Sequence, residues 1–456
     1  MVRKNAVTSR ITLEHLDGRS EAFDLEIRYE TPAHGKYLEI YRLAMTMPVL
    51  NYGLFTDSII LGFPVSESDL ALLNDMLEIF SKDIFVNKLA RRRTGHLNEE
   101  FLPTPEEVIE KNARPRATIK PKEILPDKHL PSKVEPAKVG ILSSGGKEAL
   151  LGYSMLKELG ADVHPLYVNE SGGHWRTALT AYRWHKANEP NTGRVWTNID
   201  RYYLFMLDNL KIVKKHHRRI TGDTYPIRLC IFPVYLFQLL PIYLDRGIGN
   251  LLIGDEFDDP RGEWTYNGIK HYFGIYDQHI DFDFRMEEWY SKRIPGMSQW
   301  SALRPISGLI VERILTKRYK DAAKYQRSCH SCHFDGDDIV PCGECTKCLG
   351  VMLFLKANGQ DPEMMGYRPE DVEALQERLI KTKLRLDPDE LEHSISRAFI
   401  LGFDIQWPKR HVGGIHIHGT CDTEMIPEQF RAGIMAIIGE YANGRWVLVD
   451  GEWEKI

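Results

Sequence analysis

Five of the chain's seven cysteines fall between Cys329 and Cys348, in "SCHSCHFDGDDIVPCGECTKCLG". Pairs separated by two residues can grip one tetrahedral metal from a single tight turn, and a further ligand can come from more distant chain. The run "CGECTKC" supplies three thiolates, Cys342, Cys345 and Cys348. Cys329 or Cys332 completes the set; Cys329 is preferred, which leaves Cys332 or His330 over. Zinc is the natural occupant of a closed thiolate shell, and an iron–sulfur cluster is its main competitor. A filled four-thiolate shell keeps no open position, so the expected role is structural. In a reducing compartment such clustering points to metal rather than to disulfides.

A second constellation is "VGILSSGGKEA", from Val139 to Ala149. An apolar run reads as a strand, a Ser/Gly turn follows, and an amphipathic helical pattern begins near Lys147. A helix N-terminus offers free N–H groups and a positive dipole end to an anion. Gly145 and Gly146 let the backbone approach an oxyanion without a Cβ in the way. Ser144 adds a hydroxyl and Lys147 a charge. The loop therefore suits a phosphate or pyrophosphate. It is not the Walker pattern, which needs a longer glycine-spaced loop ending in Lys-Ser/Thr.

Other strand ends supply further candidates. Asp255 and Glu256 follow "LLIG" and are expected to emerge beside the loop at Ser144. Tyr167, Val168 and Asn169 close the apolar run "DVHPLYVN", and "SGGHWR" after it holds Gly172, Gly173, His174 and Arg176. Arg304, in "LRPIS", has the fork geometry that binds carboxylates. His271 and His279 have the pKa range of an acid or base. His411, His416 and His418 with Cys421 make a second His/Cys group, but without compact four-ligand spacing.

These residues need elements to hold them. The 456 residues suffice for two or three domains, and 43% hydrophobic with 27% charged content is ordinary for a globular protein. A formal net charge of -5 gives no general attraction to nucleic acid or to an anionic membrane. The start "MVRKNAVTSR" has no apolar core, so no secretory signal is expected. No apolar run is long enough to span a bilayer, and "LCIFPVYLFQLLPIYL", broken by Pro233 and Pro241, reads as a buried helix. A cytoplasmic protein without membrane or nucleic-acid partners is expected.

Residues 1–110 read as a small α+β domain: Phe23, Leu25, Ile27 and Tyr29 share one strand face, and Ser66 with Asp69 caps a long helix. Residues 111–137 carry prolines every five or six positions among lysines and read as an exposed spacer. Residues 138–360 alternate strand and helix patterns, the mark of a doubly wound parallel α/β sheet. Residues 361–456 suggest two helical stretches, then strands and a hairpin.

The "SGGKEA" loop resembles the "SGGKDS" loop of the PP-loop ATP pyrophosphatase superfamily, over about Val139 to Gly359. Ser144, Gly145, Gly146 and Lys147 match; Glu148 replaces the family aspartate. Ala149 replaces a serine that usually contacts phosphate, so a backbone N–H must suffice or ATP binding is altered. The resemblance implies that Ser144, Gly145, Gly146, Lys147 and Glu148 hold the pyrophosphate part of ATP, with magnesium bridging phosphate oxygens. Tyr167 and Asn169 fall where the superfamily places adenosine. Lys147, Asp255, Glu256 and Arg304 are the catalytic candidates, and Cys329, Cys342, Cys345 and Cys348 the zinc ligands.

A distal cysteine followed by "CxxCxxC" after such a loop resembles two families of that superfamily. UDP-N-acetylmuramoyl-L-alanyl-L-glutamate epimerase is the better match in length and in "LLIGDEFDDPRGEWTYNG", "YDQHIDF" and "WSALRPISGLIVERIL". The second is 7-cyano-7-deazaguanine synthase, a single domain that converts a 7-carboxy group to a nitrile using ATP and ammonia, with a structural zinc. The resemblance implies a PP-loop domain with a zinc knuckle, preceded by a small α+β domain and followed by a helical/β tail. It implies an enzyme that adenylylates a small-molecule carboxylate, with AMP and pyrophosphate as products. A tRNA-modifying PP-loop enzyme and a nucleotide-binding module without chemistry are the remaining readings. An oligomer is compatible with all of them.

Overall fold

Short apolar runs separated by helical patterns fold as parallel strands joined by crossovers. The computed structural model describes residues 1–91, 94–220, 226–257, 264–330, 332–384, 386–399 and 412–456. It divides into two units: residues 1–134, 195–247 and 260–297 form one, and residues 135–194, 248–259 and 298–456 form the other.

In the second unit the strands Glu135–Leu142, Asp162–Asn169, Ile248–Leu252 and Ser298–Trp300 are parallel. Their spatial order is Asp162–Asn169, Glu135–Leu142, Ile248–Leu252, Ser298–Trp300. Val139 lies opposite Val163 on one side and Asn250 on the other. Both flanks of this strand are therefore occupied, and Val139 and Ile141 are buried. The chain leaves Glu135–Leu142 toward one neighbour and later returns on its opposite side. That reversal is a topological switch point, where a crevice opens outside the carboxyl ends of the strands.

The helices Lys147–Glu158, Gly308–Arg318, Thr346–Ala357 and Glu428–Tyr441 share one apolar core with these strands. Thr346–Ala357 is apolar nearly all round because it lies inside that core. Two helices, Leu375–Lys381 and Pro388–Ala398, appear where the tail suggested helix. The hairpin Arg445–Val449 with Glu452–Lys455 also forms, and Ile415–Ile417 joins it in parallel.

In the first unit the hairpin Ala6–Glu14 with Ser20–Tyr29 is antiparallel, and residues 195–197 pair with its second strand. Ser66 caps the helix Glu67–Ile84 by accepting the Asp69 N–H, and a π-helical turn, Phe85–Ala90, continues it. The helix Phe232–Arg246 is the buried one its composition suggests, with Pro233 in its first turn and Pro241 accommodated inside.

Two expectations change. The stretch 111–137 is not a bare spacer: Thr118–Pro121 pairs in parallel with Ser58–Leu61, and Ile124–Leu125 with Val65–Ser66. These two-stranded ladders leave free edges, where a proline costs no hydrogen bond. The linear division is also interrupted, since residues 195–247 and 260–297 group with residues 1–134. Among the described residues no helix is long and apolar enough to cross a membrane.

Candidate functional site

The Ser/Gly loop lies at the switch point. Ser143 N–H donates to Leu166 O at 2.9 Å, which ties the loop to the neighbouring strand. Gly145 has φ +79°, and a Cβ there would meet the Ala178 Cα at 3.2 Å. Its carbonyl accepts the Arg327 N–H at 3.2 Å. Gly146 is the N-cap of Lys147–Glu158. Ser144 is exposed at the tip. Ala149 is buried in the apolar core.

Lys147 does not stand alone. Its Nζ pairs with Glu256 Oε1 at 2.8 Å and also with Glu148. Burial alone would lower the lysine pKa, but Glu148 and Glu256 hold it well above its usual value. Burial works the other way on Glu148, whose pKa nevertheless ends low beside Lys147 and its hydrogen bonds. Glu148 Oε2 lies 2.8 Å from where a Gly146 Cβ would be, so its carboxylate folds back over the loop. The expected meeting of Glu256 with the loop is present. The geometry presents one cation bracketed by acids, with loop N–H groups beside them.

Sequence reasoning missed Glu312. It sits on Gly308–Arg318, fully buried, where Gln326 Nε2 donates to Oε2 at 3.1 Å. Oε1 has no hydrogen-bond partner among the described residues. Burial pushes its pKa up to about 7, against the pull of Lys147. The available signal was the adjacent charges Glu312 and Arg313 inside the apolar run "SGLIVERIL", which buried positions rarely carry without purpose.

Asp255 and Arg304 pair with each other at 2.9 Å, both buried. Ser301 Oγ brackets the Asp255 backbone, accepting its N–H at 3.1 Å and donating to its carbonyl at 2.7 Å. The pair braces the strand end next to Glu256. Tyr167 is also inside: its Oη is 2.6 Å from His185 Nδ1, and its ring packs edge-on against Tyr182. Asn169 Oδ1 accepts the Ser171 N–H at 2.9 Å and shapes the turn after the strand.

The sulfurs of Cys329, Cys342, Cys345 and Cys348 lie within 4.8 Å of one another. Separations are 3.5 Å for Cys345–Cys348, 3.8 Å for Cys342–Cys348 and 3.9 Å for Cys345–Cys329. A tetrahedron with metal–sulfur bonds of ~2.3 Å has edges of ~3.8 Å, so this group could hold one metal ion such as zinc. Cys345 is the N-cap of Thr346–Ala357. Gly343, at φ +73°, makes the turn between Cys342 and Cys345, and a Cβ there would strike the Asp371 carboxylate. Cys332 is buried outside the four.

The cysteine segment also supports the loop after Asp162–Asn169. Arg176 donates to Cys332 O at 2.9 Å, and Thr177 Oγ1 to Cys329 O at 3.0 Å. Both donors lie on the helix Gly173–Asn188, whose N-cap Gly172 has φ +113°, and His174 Nδ1 lies 3.6 Å from Glu170.

Other histidines have structural work. His271 Nδ1 accepts the Phe273 N–H at 2.9 Å, and His279 Nδ1 accepts the Asp281 N–H at 3.0 Å to cap a helix. His416 is buried between Phe257 and Trp453 rings. His411 lies outside the described residues, as do residues 258–263 of the "DEFDDPRGEW" stretch. No protein-family model, curated protein or solved structure matches this chain.

Proposed function

We propose that this chain is an ATP-dependent enzyme that activates a substrate carboxylate by adenylylation, most like the muropeptide L-glutamate epimerase. One observation carries the reading: the Ser144–Gly146 turn opens a helix at the topological switch point, with Lys147 and Glu256 beside it.

In that reading the loop N–H groups and Ser144 hold ATP phosphates. Magnesium would be held by Glu148 or Glu256 together with phosphate oxygens, and supplies charge neutralisation. The substrate carboxylate attacks the α-phosphorus, the bond to the β-phosphate oxygen breaks, and pyrophosphate leaves. The acyl-adenylate lacks the carboxylate's negative charge, so its neighbouring C–H is more acidic. Loss and return of that proton inverts the centre, and water then releases AMP. Asp255 and Arg304 position Glu256 through the strand end they brace. Cys329, Cys342, Cys345 and Cys348 would hold a zinc ion, which would fix the backbone to which Arg176 and Thr177 donate.

The test is a pyrophosphate-release screen across carboxylate substrates in deuterated water. The expected result is ATP- and magnesium-dependent release of AMP and pyrophosphate, with deuterium entering the Cα–H of a peptide-linked glutamate. Ammonia-dependent turnover of a 7-carboxy-7-deazaguanine would replace the epimerase reading with the nitrile-forming one. Absence of nucleotide binding would sink both.

A further inference from the structure

Lys147 is the only basic side chain that the loop itself supplies, and it already faces two acids. A third stands behind them. A Cβ on Gly308 would lie 2.7 Å from Glu256 Oε2 and 3.3 Å from Lys147 Cε, so the start of Gly308–Arg318 abuts this ion pair. Glu312 is one turn further on, and residues four apart share a helix face. Its carboxyl feels the charges of Lys147, which favours ionisation, and of Glu148, which opposes it. Gln326 gives Glu312 one neutral hydrogen bond. Glu390 reaches the same helix start, where its Oε1 accepts the Leu309 N–H at 2.8 Å. Arg313, the basic neighbour on the same helix, points instead to Asn358 and the Tyr441 carbonyl. One ammonium therefore serves three carboxyls, and Glu312 is the one fully enclosed.

An anion arriving at the loop adds negative charge to that group. Glu148 and Glu256 keep a direct contact with Lys147. Glu312 does not, and its Oε1 has no partner among the described residues. Accepting a proton there removes a charge at least cost, because a buried neutral carboxyl needs no counter-ion.

We propose that Glu312 is a positioning residue that takes up a proton from solvent when a phosphate-bearing anion engages the loop at Lys147, so that anion binding is proton-linked. This rests on the phosphate reading of the loop. It adds that the site binds better as pH falls through neutrality, whatever the carboxylate substrate is. Burial holds the Glu312 carboxyl at about 7 before any ligand arrives, which puts such uptake in a measurable range.

The experiment is calorimetric titration of the full chain with magnesium–ATP, and separately with magnesium–pyrophosphate, in buffers of different ionisation heat. Wild type should take up roughly half a proton per ligand at pH 7 and more near pH 8. Its affinity should weaken roughly four- to tenfold between pH 7 and pH 8.5. Glu312→Gln, uncharged at every pH, should bind with no more uptake than the ligand itself contributes and with a nearly flat profile. A purely structural Glu312 would leave uptake unchanged in the variant. The wild-type uptake needs no mutant, so a poorly folded variant does not remove the test. Binding without proton uptake in wild type overturns the inference and leaves the phosphate reading standing. No binding of either ligand defeats the phosphate reading, and the inference with it.

Discussion

At the scale of residues, two small groups carry most of the chemistry. The first is the cysteine set. Its four sulfurs sit at metal-bonding separations, while Cys332 lies outside. Metal-binding energy of such a site is folding energy. Cys345→Ser should therefore lose the metal and destabilise the second unit by on the order of several kcal/mol. Cys332→Ser should retain it. Elemental analysis and thermal melting check both, and equal metal content in the two variants would defeat the assignment. The second group is the loop. Gly146→Val should abolish nucleotide binding, because the added branches would occupy the space between the Glu148 carboxylate and Ser144 Oγ. Glu148 is flexible enough to move aside, so melting should hardly change. A variant that still binds ATP with wild-type affinity would show that no phosphate sits there. Gly145→Ala is a different case. Its positive φ and the nearby Ala178 backbone make a Cβ costly, and a loss of roughly 1–2 kcal/mol is expected from chemical denaturation.

Elements decide which residues meet. Gly308–Arg318 is the best instance, since it brings Glu312 toward Lys147 and places Gly308 against Glu256. Its N-terminus is held by Ser307, which accepts the Ile310 N–H at 3.4 Å and donates to Val412 O at 2.8 Å. Ser307→Ala should cost about 1–2 kcal/mol, as for other lost caps. Denaturant unfolding measures this, and a change within error would mean the cap is dispensable. The parallel strands, the helix after the loop and the cysteine knuckle were legible because their signals are local. Apolar runs end at polar turns, and ligands recur every third residue. Glu256 beside the loop was legible from strand-end position alone. Glu312 was not, because only packing of distant segments shows which charge in an apolar helix faces a lysine. The inward turn of Arg304 and Tyr167 was hidden for the same reason: polar side chains at strand ends look alike in sequence whether they meet solvent or each other. The prolines of 111–137 misled, since isolated parallel ladders accept the residues that spacers favour.

At the scale of the whole molecule, sequence order conceals the grouping of segments, because an apolar helix such as Phe232–Arg246 carries no mark of the core it joins. The composite units have a common electrostatic feature. Burial pushes Asp83 up to about 7 and Asp277 to about 6 in the first unit, and Glu312 to about 7 in the second. A carboxyl with a raised folded-state pKa binds more protons folded than unfolded in the interval between the two values. Stability then falls as pH rises through that interval. His185 acts in the opposite sense: burial lowers it to about 3, so its contribution grows with pH until its unfolded value near 6.5. Three carboxyls against one histidine leave a net loss from about pH 5 to pH 7, and above about pH 6.5 the histidine no longer offsets it. The first unit, which holds Asp83 and Asp277 and none of the four clustered cysteines, should therefore lose stability as pH rises from about 5 to about 7. Asp83→Asn should flatten the fall for the first unit, since Asn can still accept the Tyr272 N–H that Asp83 Oδ1 receives at 2.7 Å. Its stability relative to wild type should improve from pH 5 to about pH 7 and then level off, by up to a few kcal/mol on the scale of about 1.4 kcal/mol per pKa unit. Urea unfolding across that range is the measurement. A difference between Asp83→Asn and wild type that does not vary with pH would show that Asp83 ionises in the folded chain as it does in water.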